Sequence, residues 1–160
     1  MTSYGEYEEM IVALLAREGV DVQPLPLMER LNAPRIAAKP RVYVLFTGST
    51  FEETQQLGDF AQYESLTFGI AVEALTRDGE AGVFEVAEES MQRILKWRPP
   101  DSSSRVSLTT FNIVDSSAQN KWQYQLNFNF TRVRIKPPVV PNPDCLGRIN
   151  EITTNVNLRT

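Results

Sequence analysis

A chain of 160 residues with 42% hydrophobic and 22% charged content fits one globular domain with a real core, and these values exclude a coiled coil and a wholly disordered chain. There is no histidine and a single cysteine, Cys145, which excludes Ser-His-Asp and Cys-His catalysis, His-ligated zinc, cysteine-cluster metal sites and an internal disulfide. The formal net charge of -4 runs against a protein that grips nucleic acid, because such binding draws on basic residues displacing counterions from phosphates.

Taken in chain order, Tyr7, Ile11, Leu14 and Leu15 recur at spacings of three and four, which predicts an amphipathic helix from Tyr4 to Glu18. Thr2 or Ser3 is its expected cap and Gly19 its expected stop. The opening residues lack the basic start and apolar stretch of a secretory signal, so the chain is expected to stay in the cytoplasm or join something assembled there. Val20-Asp21-Val22 reads as a short extended piece, and Pro24, Pro26 and Pro34 forbid regular pairing or an unbroken helix around them, with room for a helical turn near Leu27 to Asn32. Arg41 to Phe46 is β-branched and aromatic, bounded by Pro40 and Gly48, and predicts a central strand. Its apolar run, like Met10 to Ala16, is far shorter than the roughly 20 residues that cross a bilayer, so no membrane partner is expected. The polar stretch Thr47 to Gln62 is a mobile loop or a hairpin arm ordered against a neighbour; Phe51, Glu52, Glu53, Gln55 and Gln56 are its candidate contacts.

From Tyr63 to Thr76, Leu66, Phe68, Ile70, Val72 and Ala74 alternate with smaller or polar residues, the pattern of a half-buried strand. Arg77-Asp78-Gly79-Glu80 is a turn. Val83, Ala87, Met91, Ile94 and Leu95 then predict a second helix from Ala81 to Trp97, stopped by Arg98-Pro99-Pro100. Arg105 to Val114 is β-like and Asp115 to Asn120 a polar connection. In the clearest strand, Trp122, Tyr124, Leu126, Phe128 and Phe130 alternate with Gln123, Gln125, Asn127, Asn129 and Thr131, an aromatic core face against an amide face. The order predicts an α+β domain over residues 1–136, a mostly antiparallel sheet with two helices on one face. Residues 137–160 form a Pro-rich C-terminal extension, read as an arm bearing Ile149, Ile152, Val156 and Leu158.

No catalytic, cofactor-binding or metal-binding residues emerge from the motifs, so the chain is expected not to be an enzyme. Neither a G-x-G-x-x-G fingerprint nor a phosphate-binding P-loop occurs. The pairs Glu8-Glu9, Glu52-Glu53 and Glu88-Glu89 read as solvated faces rather than catalytic or metal-binding carboxylates, and Gly48-Ser49-Thr50 as a turn, since no histidine can activate the serine. What remains are surfaces. Gln123, Gln125, Asn127 and Asn129 are read as a polar subunit interface or an ordinary solvent-facing side. Arg132, Arg134 and Lys136 are read as a basic strip for an acidic partner or a phosphate backbone.

In the order and spacing of the first helix, Gly19-Val20-Asp21-Val22-Gln23-Pro24-Leu25-Pro26, Leu31-Asn32-Ala33-Pro34-Arg35, Val42-Tyr43-Val44-Leu45-Phe46-Thr47-Gly48-Ser49, the Arg77-Asp78-Gly79 turn with its helix, and the Trp122-Gln123-Tyr124 strand, the chain resembles the Mu-type tail terminator family of contractile-tailed phages and prophages. The resemblance spans about residues 4 to 135; the Pro-rich extension matches less well. It implies a structural virion subunit at the tail-neck junction, forming a hexameric ring that ends tail tube polymerisation, caps the sheath and joins the tail to the neck. The implied partners are other copies of the chain and the tail tube, sheath and neck or connector proteins. DNA would pass through the lumen without specific binding, and the resemblance carries no catalytic residues. The alternatives are another neck, tube or baseplate subunit, or a small cytosolic ligand-binding domain.

Overall fold

The two periodicities resolve into two helices and five strands in a computed structural model that describes residues 1–25, 39–52, 61–115 and 121–137. The expected turn near Leu27 to Asn32, the connection after Asp115 and the arm beyond Pro137 lie outside these residues. Helix α1 is Tyr4–Leu15 and helix α2 Val83–Lys96; the strands are β1 Asp21–Pro24, β2 Arg41–Glu52, β3 Ala61–Ala74, β4 Ser107–Asp115 and β5 Trp122–Ile135.

Ser3, not Thr2, caps α1. Its hydroxyl accepts the Glu6 N–H at 3.2 Å while the Glu6 carboxylate accepts the Ser3 N–H at 2.6 Å, satisfying two backbone donors that the first turn leaves without partners. The helix stops at Leu15 rather than Glu18 because Ala16 is already extended. Gly19, at φ +80°, serves instead in the reversal that brings Arg17 opposite Val20 and feeds β1.

The largest departure from the sequence reading is the stretch after Phe46. Strand β2 runs on to Glu52 and β3 begins at Ala61, so the described ends of the polar segment belong to two paired strands, with Gly48 to Glu52 bonded to β3 inside the same chain. A bulge between Phe46 and Gly48, with Gly48 at φ +151°, carries the strand across. There the Phe46 N–H donates to Glu8 Oε1 at 2.6 Å; Glu8 is therefore a partner of the bulge and not part of a solvated acidic face.

The sheet order is β1-β2-β3-β5-β4, with β1 parallel to β2 and every other neighbour antiparallel. Both helices pack on one face: Tyr7, Ile11 and Leu15 of α1 and Val83, Val86, Ala87 and Ile94 of α2 meet Val42, Val44, Leu66, Phe68, Ile70, Val72, Leu126, Phe128 and Phe130. The Phe68 ring stacks on Phe128 and Phe130 at 5.9 and 5.8 Å, and Tyr7 sets its edge on Phe130 at 5.1 Å. Each such side chain contributes about 1.5–3 kcal/mol by leaving water. Among the described residues, no helix is long and apolar enough to cross a membrane.

Candidate interaction surfaces

The alternation that buries the aromatic wall does not stop where the apolar residues stop. Glu64 lies two residues before Leu66, and Arg132 and Arg134 lie two and four after Phe130, so all three inherit the helix-covered side. They converge there: Arg132 Nε and Arg134 Nε donate to Glu64 Oε2 at 2.7 and 2.9 Å, and the Tyr4 hydroxyl donates to Glu64 Oε1. Glu64 is 0% and Arg132 1% exposed. The Arg132 guanidinium lies 5.3 and 5.6 Å from the Tyr4 and Tyr7 ring centres, a cation–π arrangement, and its Nη1 donates to the Thr2 carbonyl at 2.6 Å.

Burial alone would push the Glu64 carboxyl up, but the hydrogen bonds from Arg132, Arg134 and Tyr4 outweigh it and hold the group at about 2. A buried ion pair gains little over an apolar pair of the same size; what it does is make the loss of either member costly. The cluster ties the start of α1 to the two central strands, helped by Thr2, whose N–H and hydroxyl both donate to Asp101 Oδ2 at 2.8 Å. The expected basic strip is corrected accordingly: Arg132 is inside, Arg134 shares the same carboxylate, and Lys136 follows the strand's end.

On the opposite side of the sheet, Gln123, Gln125, Asn127 and Asn129 stand across from Glu73, Ala71, Gly69 and Thr67. Gln125 Nε2 donates to Asn127 Oδ1 and Asn127 Nδ2 to Thr110 Oγ1, each at 2.9 Å. Both amides lean over Gly69, where a Cβ would come within 3.1 Å of each and 3.2 Å of Leu45 Cδ2. The four residues are half-buried in the single chain, and two of them have an internal task that needs amides rather than charges.

The arm presents Phe51, 50% exposed, and Glu52. Glu52 lines a polar cleft of about 420 Å³ with Tyr63, Ser65, Ser103, Ser104 and Thr131, whose floor is fixed where the Thr131 carbonyl accepts the Ser103 N–H at 2.7 Å. Glu53, Gln55, Gln56, Ile149, Ile152, Val156 and Leu158 lie outside the described residues.

Residues 16–150 match the Gp37 protein family. The chain belongs to the Gp37 family. That makes it a phage-related structural protein. No curated protein matches it. The match begins just behind α1 and takes in all five strands and α2, so the Gp37 signature follows the sheet.

Two features of this Gp37 protein escaped the sequence reading. Glu64 was detectable, since a carboxylate in register with Leu66 and Phe68 needs a cation in the register of Phe128 and Phe130. The other is the outer edge of β4, with Ile113 and Val114 50% and 55% exposed; nothing in its own sequence says that it ends a sheet.

Proposed function

We propose that this Gp37 protein is a tail terminator: a non-enzymatic subunit that works as a ring of copies, hexameric in the resembled family, at the tail-neck junction of the virion. One side of the ring matches the last ring of the tail tube. The other offers a surface for the neck and the end of the sheath in place of another tube-binding surface, which ends polymerisation by geometry alone. DNA passes through the lumen without being held.

What carries the reading is that three of the resembled pieces enter strands of one sheet in a chain of a phage-related family. Residues Gly19 to Pro24 turn into β1, Val42 to Ser49 carry β2 across its bulge, Arg77-Asp78-Gly79 lies between β3 and α2, and Trp122-Gln123-Tyr124 opens β5. The charge pattern agrees with it: two of the three cations of the expected strip pair with Glu64, and the described amide face offers no array of cations to a phosphate backbone.

The test is the solution mass of the 18.1 kDa chain by light scattering at several concentrations, with negative-stain images taken alone and after mixing with tail tubes. Closed six-fold rings, free or seated on tube ends, are expected. Binding along tube walls or to baseplates would move the protein to another part of the particle. A monomer that ignores tubes would overturn the assembly reading and favour a ligand-binding domain.

A further inference from the structure

The two edges of the sheet are built differently. Strand β1 has four residues and ends in Pro24, which gives little backbone for another strand to pair with. Strand β4 has nine residues, Ser107-Leu108-Thr109-Thr110-Phe111-Asn112-Ile113-Val114-Asp115, and among the described residues pairs only with β5. It contains no lysine, arginine or proline, and its one charge is at the last position. Edges left open in soluble proteins are ordinarily short, charged or covered. Two bulges bend β4, yet Ile113 and Val114 still stand half in water.

The sides of β4 differ in chemistry. Leu108, Phe111 and Ile113 face the same way as their partners Phe128, Leu126 and Tyr124, on the helix-covered side; Thr110 and Asn112 stand beside Asn127 and Gln125 on the amide side. The sequence holds a second segment with this two-sided pattern. In Ile152-Thr153-Thr154-Asn155-Val156-Asn157-Leu158, residues 152, 154, 156 and 158 are aliphatic or threonine and residues 153, 155 and 157 are threonine or asparagine. Added beside β4, it would continue both faces, with aliphatics next to Ile113 and amides next to Thr110 and Asn112. Backbone hydrogen bonds would supply affinity and side-chain parity the register.

We propose that residues 152–158 of one copy add as a strand to the β4 edge of a neighbouring copy. The spacer favours a neighbour over the chain's own edge. Strand β4 lies one strand, about 5 Å, from β5, whereas the segment between Pro137 and Ile152 contains Pro138, Pro141 and Pro143 and in a polyproline-like path spans about 40 Å at ~3.1 Å per residue. A spacer of that length is enough to set the segment on a neighbouring copy. The inference deepens the ring reading and rests on the chain working as assembled copies.

The test is disulfide trapping in the full chain on a Cys145→Ala background. Asn112→Cys or Ile113→Cys, both at exposed positions, is combined with one cysteine at a time across residues 152–157, in the presence and absence of tail tubes. Asn112→Cys should link severalfold better to Thr153→Cys, Asn155→Cys or Asn157→Cys than to the positions between them, and Ile113→Cys should show the opposite parity, each giving covalent multimers on a non-reducing gel. Linkage within one chain would overturn the neighbour as owner, and linkage without parity, or none, would overturn the strand. Rings imaged in samples that do not cross-link would sink the arm and leave the ring standing. Parity-matched multimers without rings would do the reverse.

Discussion

Glu64 is the residue on which the start of the chain and the two central strands converge, so its removal should be felt more than that of any exposed carboxylate. Glu64→Gln keeps the shape but leaves Arg132, 1% exposed, without its counter-charge, and should cost about 3–5 kcal/mol, read as a lowered urea midpoint. The sign of the pH effect comes from the depressed folded value. Because the carboxyl sits at about 2 against an ordinary 4.5, its contribution is fully present above about pH 4.5 and drains away as the pH falls toward 2. Denaturation midpoints measured over that window should fall in the natural protein, with the share due to this group absent from Glu64→Gln. The position could be read from the sequence through parity: 64, 66 and 68 share a side, as do 128, 130, 132 and 134. What concealed it was reading Arg132, Arg134 and Lys136 as an exposed strip of their own, although their alternation continues the side that Phe128 and Phe130 share.

Among the elements, α1, α2, β3 and β5 were visible because each keeps one period from end to end. Strand β2 was not. Its bulge places Phe46 and Ser49, three apart, on the same side as Phe68 and Leu66, so the alternation breaks at Thr47 and the second half, rich in serine, threonine and glycine, imitates a loop. The same bulge gives Glu8 a role that its sequence neighbour lacks. Glu8→Ala leaves the Phe46 N–H without its acceptor and should cost about 1–3 kcal/mol in thermal or denaturant unfolding. Glu9→Ala, one residue away on the exposed side of α1, should stay within about 0.5 kcal/mol of the natural protein. Equal effects of the two substitutions would show that the carboxylate does not serve the bulge.

For the molecule as a whole, fold class followed from the order of the elements, but the order of the strands did not, because which strand pairs with which is decided by contacts distant in sequence. That is why the edge position of β4 among the described strands became visible only in three dimensions. Deleting Pro137 to Thr160 removes none of the buried cluster; the circular dichroism spectrum and melting temperature should be retained while ring formation weakens, and a truncated chain that loses its folded spectrum would count against an arm outside the core. The same topology also sets the order in which the protein can be made. Strand β3 finds β2 beside it early, but its other neighbour, β5, is the last of the described strands to be synthesised, and Thr2 and Tyr4 wait for Arg132 and Arg134 across 130 residues. Until translation has passed Ile135, Phe68 has neither of the rings that stack on it and β4 has no strand to make it an edge. A nascent chain therefore lacks the sheet on which copies would assemble, and each subunit must be nearly finished before it can meet another.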